Sequence, residues 1–447
     1  MKTNNKILVL GAGESGVGAA LLAKARGYSV FVSDRGLIKE KYKHELQNAQ
    51  IEFEEGIHGR SILDGVDEII KSPGIPDNAE IVVNAAKGGI RIISEIEFAA
   101  RFTNAKLICI TGSNGKTTTT ALTGHMLKHG GLNACTAGNI GNSFAREVLA
   151  GNYDYYSLEL SSFQLDGIVD FRADVAVLLN ITPDHLDRYD YSFEKYARSK
   201  MRIALNQRPQ DAFIWCADDE MTRKMVENAK LVQETYKISL FEKGHEGAWL
   251  EDETIVFNIK GEKFTMTIEE LALQGKHNIH NSMAASIASH LVGLRKESIK
   301  ESLSNFENIA HRLEFVGNVH GIEFINDSKA TNVNSVWWAL SEQSRPVIWI
   351  AGGINKGNDY TKLYEVVAHR VKALICLGTD NRHLIDAFTG VIPHIDEAGS
   401  AQEAVNKAYL LARDNDVVLL SPACASFDLF ENYEDRGNQF KMAVKAL

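Results

Sequence analysis

The sequence predicts an α/β protein with three domains built on mostly parallel sheets. Short apolar runs alternate with helical patterns along most of the chain, which is typical of parallel strands joined by crossover helices. Two glycine-rich loops each stand between a predicted strand and a predicted helix. The length of 447 residues also exceeds what a single hydrophobic core usually holds.

Composition and charge are those of an ordinary globular protein, with 45% hydrophobic and 24% charged residues. The formal net charge of −10 argues against a nucleic-acid partner, so an anionic substrate must be met by local positive groups. No apolar run approaches the roughly 18 residues of a membrane span, and no membrane partner is expected. Five cysteines without a Cys-x-x-Cys pair, and no signal peptide, predict reduced thiols in a cytoplasmic protein.

Nine apolar runs have the length and composition of buried strands. In chain order they are KILVLG, YSVFVSD, DEIIKSPGI, AKLICITG, YDYYSLEL, VAVLLNIT, PVIWIAGG, ALICLG and DVVLLSPA. The polar section WLEDETIVFNIKGEKFTMTIEE predicts antiparallel strands, and HNIHNSMAASIASHLVGL predicts a helix. We place the three domains at residues 1–95, 96–308 and 309–447.

The first glycine loop, GAGESG at residues 11–16, fits Gly-x-Gly-x-x-Gly after a strand and before a helix. Asp34 follows at the end of the next strand, about where an acid that binds a ribose would fall. Such a loop can receive the diphosphate of NAD or of another nucleotide. The alternative is that the glycines serve tight packing only.

The second loop lies in CITGSNGKTTTT, residues 109–120, and is a shortened phosphate loop. Only two residues separate Gly112 from Gly115, where the usual P-loop has four. A helix that opens at Lys116 would aim N–H groups and its positive end at phosphates. Lys116 would reach the terminal phosphates, and the Thr117 hydroxyl would bind Mg²⁺. A plain turn is the alternative, but four successive threonines begin a helix poorly.

Two further polar groups follow predicted strands of the same region. Glu159 ends the strand before LSSFQL, and His185 stands in NITPDHLDRY after the next strand. Catalytic groups in open α/β sheets collect at the carboxyl ends of strands. Glu159 is therefore a candidate ligand for Mg²⁺ opposite the phosphates. Helix capping is the alternative for either residue.

Taken together, these motifs resemble the Mur ligase family, the amide-forming enzymes of peptidoglycan precursor synthesis. TGSNGKTT is similar to the shortened ATP loop of that family. The other matching segments follow in the family's order: ELSSFQL, NITPDHLDRY, HNIHN, AHRLE, NDSKATN and SPACASFD. The resemblance covers essentially the whole chain. NDSKATN with SPACASFDLFENYEDRG resembles the branch that adds D-glutamate, and the Asp-Asn-Pro-Arg signature of the diaminopimelate-adding branch is absent.

The resemblance implies an N-terminal Rossmann-like domain, a central P-loop ATPase-like domain and a C-terminal Rossmann-like domain. It implies that UDP-N-acetylmuramoyl-L-alanine, D-glutamate and ATP are the substrates and that two Mg²⁺ ions take part. The first loop then takes the UDP part of the sugar nucleotide rather than NAD, and the second takes ATP. ATP would phosphorylate the carboxylate, and the amine would displace phosphate from the acyl phosphate. We expect a monomer.

The resemblance also assigns residues. Lys116, His185 and Lys200 are the implied catalytic residues, and Thr117, Glu159, His185 and a carbamylated Lys200 the implied Mg²⁺ ligands. The implied ATP contacts are Gly112, Ser113, Asn114, Gly115, Lys116, Thr117, Thr118, Asn278, Asn281, His311, Arg312, Asp327 and Lys329. The implied contacts with the UDP substrate are Gly13, Glu14, Ser15, Asp34, Arg35, Gly74, Asn139, Ser161 and Gln164. The implied D-glutamate contacts are Lys329, Thr331, Lys356, Ser426, Phe427 and Tyr433.

Several alternatives stay open. Basic residues at 195, 198, 200 and 202 would equally suit a solvated helix face, and only the resemblance singles out Lys200. The family often carries Thr-Arg after the second-strand aspartate, where this chain has Arg35-Gly36. Asp380-Asn381-Arg382 resembles the diaminopimelate signature without its proline. Another amide ligase, an NAD-dependent dehydrogenase and a regulatory protein without catalysis are the rival functions.

Overall fold

The computed structural model describes residues 5–59, 61–306 and 310–447. The chain forms two compact units, Met1–Phe306 and Glu307–Leu447. Unit 1 holds two sheets and unit 2 holds one, which confirms the α/β class. The predicted boundary between 95 and 96 falls in the first turn of a helix, Glu95–Ala100. The predicted boundary between 308 and 309 lies outside the described residues.

The first sheet of unit 1 is entirely parallel, with strand order β3-β2-β1-β4-β5. Its strands are β1 Lys6–Leu10, β2 Ser29–Asp34, β3 Glu52–Glu55, β4 Glu68–Lys71 and β5 Arg91–Ser94. Its helices are α1 Glu14–Ala25, α2 Glu40–Asn48, α3 Glu80–Lys87 and α4 Glu95–Ala100. Because parallel strands end at the same edge, the loops after β1, β2 and β4 meet there, as in a Rossmann-like sheet.

The second sheet of unit 1 has the order β14-β13-β12-β11-β10-β9-β6-β8-β7. Its strands are β6 Lys106–Thr111, β7 Ala134–Gly138, β8 Tyr155–Glu159, β9 Val175–Leu178, β10 Ala212–Cys216, β11 Glu234–Ser239, β12 Gly247–Glu251, β13 Thr254–Ile259 and β14 Glu262–Thr267. Only the β12–β13 and β13–β14 pairs are antiparallel, which confirms the prediction for that polar section.

The helices around this sheet are α5 Lys116–His129, α6 Phe144–Ala150, α7 Ser162–Asp166, α8 Phe193–Met201, α9 Glu220–Glu227, α10 Lys276–Leu291 and α11 Lys296–Asn305. Helix α5 follows β6 directly through the shortened glycine loop. Helix α10 has an almost continuously buried stretch from Asn281 to Ser289. It packs across α5 and the parallel strands, so its first turn reaches the end of the sheet where the glycine loop lies.

Unit 2 is a six-stranded sheet of order β15-β16-β20-β17-β18-β19, parallel except for β15 with β16. Its strands are β15 Glu314–Val319, β16 Ile322–Asn326, β17 Val347–Gly352, β18 Val371–Leu377, β19 Ile395–Ala398 and β20 Val417–Ala423. Its helices are α12 Val333–Ser341, α13 Tyr364–Arg370, α14 Arg382–Phe388, α15 Ala401–Leu411 and α16 Tyr433–Lys445.

The central strands of unit 2 show why continuous apolar runs predict this fold. Every residue of β17 and β20 is buried, because helices cover both faces of the sheet. Trp349 is fully buried on β17, and its indole N–H donates to the Ser421 carbonyl at 2.7 Å. Burial of such a side chain stabilises the fold by about 2–3 kcal/mol, provided that the N–H is satisfied.

A membrane-crossing helix is not among the described elements: none of the described helices is both long enough and apolar enough to span a bilayer.

Candidate active site

The shortened loop after β6 has a backbone that requires glycine. Gly115 adopts a left-handed conformation with φ of 83° and is the N-cap of α5. A Cβ atom placed on Gly115 would stand 2.4 Å from Oδ1 of Asn281, so a side chain there would collide with α10. The loop therefore delivers the chain into α5 with the helix N-terminus at the edge of the sheet, as the sequence predicted.

Side chains after β9 hold this loop in place. The amide group of Asn180 accepts a hydrogen bond from the Asn114 N–H at 2.8 Å and donates to the Asn114 carbonyl at 3.1 Å. The Ser113 hydroxyl donates to the Thr182 carbonyl at 2.8 Å and lies 3.0 Å from the Tyr196 hydroxyl. Sequence reasoning assigned no role to Asn180 or Tyr196, although Asn180 opens the quoted NITPDHLDRY motif.

Two lysine ammonium groups converge on one carbonyl oxygen of the loop. Lys116 Nζ donates to the carbonyls of Gly112 and Ser113, both at 2.9 Å. Lys200 Nζ, from α8, donates to the same Gly112 oxygen at 2.7 Å. A carbonyl oxygen has two lone pairs, so it can accept both bonds. The loop thus has two lysine Nζ atoms at its start, in the part of the chain predicted to meet phosphates.

The interpretation of Lys200 as part of a solvated face is wrong. Its side chain is only 1% exposed, whereas Lys195 and Arg198 on the same helix are 57% and 70% exposed. Burial, and secondly the charge of Lys116, hold the pKa of Lys200 well below its ordinary value. Lys200 also lies 4.7 Å from the ring centre of Tyr196. The structure therefore places at the loop a buried lysine that loses its proton more readily than an exposed lysine does.

Glu159 lies beside the loop because β8 pairs with β6. Ile110 of β6 is the register partner of Glu159, which is 1% exposed. Asn139 donates its side-chain N–H to Glu159 Oε1 at 2.8 Å. Asn139, which is a predicted contact of the UDP substrate, therefore lies next to the Glu159 carboxylate. Thr117 is 2% exposed in the first turn of α5. A carboxylate and a hydroxyl at this edge are the oxygen donors that Mg²⁺ prefers.

His185 stands in the loop after β9, three residues beyond Thr182. It has a left-handed conformation with φ of 52° and precedes the short 3-10 helix Leu186–Tyr189. Its ring meets the edge of Phe163 at 5.1 Å, and Arg188 lies 4.5 Å above the same Phe163 ring. His185 therefore belongs to the same sheet edge as the loop.

The predicted pair of asparagines on α10 reaches the loop. Asn281 Oδ1 accepts from the Thr119 hydroxyl at 3.1 Å, and Asn281 Nδ2 donates to Asn278 Oδ1 at 3.1 Å. Asn278 also donates to the Gln274 carbonyl at 2.8 Å, one turn back. The structure thus brings both side chains together at the start of α5, although Asn281 is already engaged by the protein.

The first glycine loop is surrounded by carboxylates. Asp34 accepts the Ala12 N–H at 2.6 Å and the Gly36 N–H at 2.8 Å, so it holds the loop after β1 to the end of β2. Gly13 is the N-cap of α1, and Ser15 lies in its first turn. Arg35 and Gly74 are exposed at the same edge.

Glu14, the first residue of α1, is bound by the protein itself. Its carboxylate pairs with Arg146 at 2.8 Å and accepts the Ser143 N–H at 3.1 Å. Burial alone would raise the pKa of Glu14, but these partners outweigh burial and lower it. The side chain therefore fastens α1 to α6.

Ser161 and Gln164 form a capping box at α7. The Ser161 hydroxyl accepts the Gln164 N–H at 3.3 Å, and the Gln164 side chain accepts the Ser161 N–H at 3.0 Å. Such a reciprocal pair satisfies two N–H groups at a helix start. Gln164 is buried, so these contacts position α7 after β8.

Unit 2 gathers its predicted residues at the carboxyl end of β16. His311 is 6% exposed, and its Nδ1 lies 2.9 Å from Asn326 Nδ2. The Asp327 carboxylate accepts from the Ser421 hydroxyl at 2.9 Å. The Lys329 N–H donates to the His311 carbonyl at 3.1 Å. Next to His311, Arg312 is half-buried.

The predicted D-glutamate contacts come from neighbouring strand ends of unit 2. The loops after β17 and β20 are joined where the Ile354 N–H donates to the Ala425 carbonyl at 2.8 Å. They carry Lys356, which is exposed, and then Ser426 and Phe427, which are 2% and 68% exposed. In the neighbouring segment, Thr331 lies two residues beyond Lys329, and Lys329 Nζ donates to the Tyr433 hydroxyl at 3.1 Å.

Sequence reasoning missed Arg436, which organises this end of unit 2. It is 1% exposed, and its guanidinium donates to the carbonyls of Gly352, Cys424 and Ser328 at 2.8–3.3 Å. Burial lowers its pKa to about 10. Arg436 lies within the quoted SPACASFDLFENYEDRG segment, but a basic residue in a helical pattern gives no sign that its charge is buried.

Comparison with protein families gives three matches along the chain. The MurD N-terminal domain matches residues 6–81, the Mur ligase middle domain matches residues 110–289, and the Mur ligase glutamate ligase domain matches residues 311–424. The middle-domain match contains the shortened loop, Glu159, Lys200 and the start of α10.

Individual relatives extend this similarity to the full length. UDP-N-acetylmuramoylalanine–D-glutamate ligase of Christiangramia forsetii is 51% identical over 99% of both chains, and that of Porphyromonas gingivalis strain W83 is 53% identical over 98% of both. The solved structure of UDP-N-acetylmuramate-alanine ligase MurC from Thermotoga maritima shares the fold, with a TM-score of 0.62 and 19% identity over 99% of both chains. The chain therefore belongs to the Mur ligase family, on the branch of the UDP-N-acetylmuramoylalanine–D-glutamate ligases.

Proposed function

We propose that this chain is an ATP-dependent ligase that joins D-glutamate to UDP-N-acetylmuramoyl-L-alanine, with release of ADP and phosphate. The relatives that are about half identical over the full length carry the name of this activity. The observation in the structure that carries the proposal is the convergence of Lys116 and Lys200 on the Gly112 carbonyl. Lys116 brings a cation to the N-terminus of a helix, which suits a site that transfers a phosphoryl group, and Lys200 brings a buried amine to the same point.

The chemistry needs activation because a carboxylate does not form an amide in neutral water. ATP transfers its terminal phosphoryl group to the carboxylate of the alanyl residue, which gives an acyl phosphate and ADP. The amine of D-glutamate then attacks the acyl carbon, and the tetrahedral intermediate collapses with loss of phosphate. The protein itself forms no covalent bond in these steps, so its task is to position reactants and to neutralise charge.

The loop after β6 is proposed to hold the ATP phosphates. The N–H groups at the start of α5 face the edge of the sheet, and Lys116 lies there with its ammonium already near the loop. Lys116 turns from the carbonyls to the transferred phosphoryl group, where its charge is worth more than in water. Asn278 and Asn281 are proposed to contact the adenine, beside the same loop.

The donors at this edge fit Mg²⁺. Thr117 and Glu159 are proposed ligands of one ion, and His185 and Lys200 of a second. When bound, Mg²⁺ supplies positive charge that offsets the charge of the phosphates. An ammonium cannot bind a cation, so Lys200 is proposed to act as its carbamate, formed when the neutral amine attacks CO₂ and loses a proton. The lowered pKa of Lys200 favours that neutral amine.

The other two ligands are proposed to bind at strand ends. The UDP part lies on the loop after β1, near Gly13, Ser15, Asp34, Arg35 and Gly74, with Asn139, Ser161 and Gln164 toward the sugar and alanyl part. D-Glutamate lies at the ends of β17 and β20 in unit 2, where Lys356 supplies a cation for one carboxylate. The division into three domains, the monomeric state and a cytoplasmic location belong to the same proposal.

One assay tests the function directly. Phosphate release from ATP is measured with UDP-N-acetylmuramoyl-L-alanine and, in turn, D-glutamate, L-glutamate, L-lysine, meso-diaminopimelate and D-alanine. We expect turnover with D-glutamate and little with the others, because the L-enantiomer turns its amine away when both carboxylates are held. Equal turnover with L-glutamate would contradict the assigned substrate. A change in nicotinamide absorbance without phosphate release would support the dehydrogenase instead.

A further inference from the structure

A sulfur, a nitrogen and an oxygen atom from three side chains meet beside the parallel sheet of unit 1, in a place that the proposed reaction does not use. Cys216 is the last residue of β10, Asp218 follows in the turn toward α9, and His280 lies in the second turn of α10. The Sγ, carboxylate and imidazole atoms all lie within 4.8 Å of one another.

The three side chains are held in place by regular secondary structure and by hydrogen bonds. Strand β10 is paired on both sides, with β9 and β11, so Cys216 is fixed by the centre of the sheet. The Asp218 carboxylate accepts from the Ser239 hydroxyl at 2.5 Å and from the Leu240 N–H at 2.6 Å. Such outer bonds orient a carboxylate toward a cation. His280 Nε2 forms a hydrogen bond with Asp218 Oδ2 at 2.7 Å, so a bound ion would take the place of the proton that the two atoms share.

The burial of the three groups suits an ion site with an entry path. The Cys216 side chain is buried, whereas the side chains of Asp218 and His280 are 9% and 21% exposed. The sulfur atom is therefore shielded from solvent, whereas the imidazole is partly exposed. A water molecule that approaches from the exposed side would be the fourth ligand.

The chemistry of the donors selects the ion. One thiolate, one imidazole and one carboxylate form a borderline-soft set that suits Zn²⁺, whereas Mg²⁺ prefers oxygen donors alone. Ligand atoms around a tetrahedral Zn²⁺ stand about 3.5 Å apart, so the 2.7 Å pair of His280 Nε2 and Asp218 Oδ2 must open by about an ångström, and the distances to Cys216 Sγ need to shorten by little more than that. We propose that Cys216, Asp218 and His280 form a binding site for one Zn²⁺ ion, independent of the proposed ligase activity.

Occupancy of this site would fasten α10 to the turn after β10. His280 is followed directly by Asn281, whose amide contacts Thr119 and stands against Gly115. An ion that binds His280 therefore stiffens the helix turn that supports the phosphate loop. The structural consequence is higher thermal stability of unit 1 in the presence of Zn²⁺.

The test uses the full chain, with any affinity tag removed and with metal stripped by a chelator. Zn²⁺ is titrated against a competing indicator, and Co²⁺ serves as a spectroscopic probe. We expect one tight equivalent of Zn²⁺, and with Co²⁺ the visible bands of a tetrahedral ion together with a thiolate charge-transfer band. Cys216→Ala and His280→Gln should each weaken binding at least about a hundredfold, because loss of even an outer partner costs 10–100-fold.

Two variants serve as controls. Cys376→Ala removes another buried strand thiol, and His125→Gln removes one of two stacked imidazoles on α5. Both should bind Zn²⁺ like the parent. Absence of tight Zn²⁺ binding by the parent chain, or a Co²⁺ spectrum without the thiolate band, would overturn the proposal. The same holds if His125→Gln loses the ion while His280→Gln keeps it. The parent spectrum decides the matter even if a variant fails to fold.

Discussion

The two glycine-rich loops of unit 1 share a backbone plan and differ in the ionisable side chains beside them. Each follows a central parallel strand and leads into the N-terminus of a helix. The first loop is flanked by the carboxylates of Asp34 and Glu14, which accept backbone N–H groups. The second is flanked by Nζ of Lys116 and Nζ of Lys200, which donate to a backbone carbonyl.

In the proposed function, this difference separates binding from catalysis. A loop that only binds a diphosphate can rely on N–H groups and a helix end, and carboxylates nearby serve to fix its shape. A loop that takes part in phosphoryl transfer must also stabilise charge that shifts during the reaction, which requires cations at the transferred group. The geometry of a glycine loop therefore indicates a nucleotide, and the charges around it indicate whether chemistry takes place there.

Removal of the buried lysine should have the largest effect. Lys200→Ala is expected to lower turnover by about a thousandfold, because the loop loses the group that the structure buries against it. Lys195→Ala, on the exposed side of the same helix, is the control and should stay near normal. If the carbamate forms, a short carboxylic acid added to Lys200→Ala should restore part of the activity. A crystal structure with nucleotide and Mg²⁺ that shows an unmodified Lys200 amine would contradict the carbamate.

Removal of the loop's own cation should come next. Lys116→Ala is expected to cut ATP turnover by about a hundredfold, through loss of charge at the transferred phosphoryl group. The fold should persist, because Lys116 Nζ donates to carbonyls of its own loop and not to a distant element in these two hydrogen bonds. Circular dichroism checks the fold, and Lys128→Ala in the same helix is the matched exposed control. Near-normal turnover of a folded Lys116→Ala chain would remove this residue from the mechanism.

A change in the first loop should act on binding alone. Asp34→Ala removes the acceptor of the Ala12 and Gly36 N–H groups and should raise the KM for the UDP substrate about tenfold, the equivalent of one charged hydrogen bond. The kcat and the KM for ATP should change little. Steady-state kinetics with each substrate varied in turn provides the measurement. A kcat reduced as strongly as in Lys116→Ala would show that the two loops do not divide the work.

The D-glutamate site, which is proposed to lie outside both loops, provides a further comparison. Lys356→Ala is expected to raise the KM for D-glutamate by about tenfold or more, because a carboxylate loses its cationic partner. The KM values for ATP and the UDP substrate should change far less, because Lys356 is among the predicted contacts of D-glutamate and not among those of ATP or the UDP substrate. The exposed Lys362 provides a control of the same charge. An unmoved KM for D-glutamate would mean that the amino acid binds elsewhere.

The smallest effect on catalysis, but a clear one on stability, concerns Glu95. Burial raises its pKa to about 7, assisted by the charge of Glu14 and opposed by the Ala145 N–H. The folded state therefore binds a proton more tightly than the unfolded state, and stability declines as pH rises from about 4.5 to about 7. Glu95→Gln should be more stable than the parent above pH 7, by up to about 3 kcal/mol, with kcat unchanged.

Thermal unfolding at several pH values measures the difference in stability between Glu95→Gln and the parent, which should shrink as the pH is lowered toward 5. Glu97→Gln is the matched control on the same helix. The Glu97 carboxylate accepts three backbone N–H groups, from Val169, Asp170 and Phe171 at 2.7–3.0 Å, so its substitution should destabilise at every pH. If the difference in stability between Glu95→Gln and the parent does not vary with pH, the raised pKa of Glu95 is refuted.

The parts of the molecule that could be predicted from sequence are those with a local signal. Buried strands appear as continuous apolar runs, the antiparallel section appears as alternation, and both glycine loops have recognisable spacing. The position of Lys200 has no such signal, because exposed and buried lysines of one helix look alike in a sequence. Asn180 and Arg436 were missed for the same reason: their partners are distant in the chain, and several are backbone atoms. Lys200 was predicted as a site residue from the resemblance to a family, because the periodicity of its helix does not distinguish it from the other basic residues.

Arg436 has a consequence for how this protein tolerates mutation. Its guanidinium is held by the carbonyl oxygens of Gly352, Cys424 and Ser328, with one further bond to the Ser328 hydroxyl. A substitution changes a side chain and leaves the backbone carbonyl oxygen in place. Substitutions at Gly352, Cys424 or Ser328 therefore do not directly remove most of the hydrogen bonds to Arg436. Substitution of Arg436 itself is thus the single change that removes all of these hydrogen bonds. Related chains should vary around the guanidinium far more readily than they replace it.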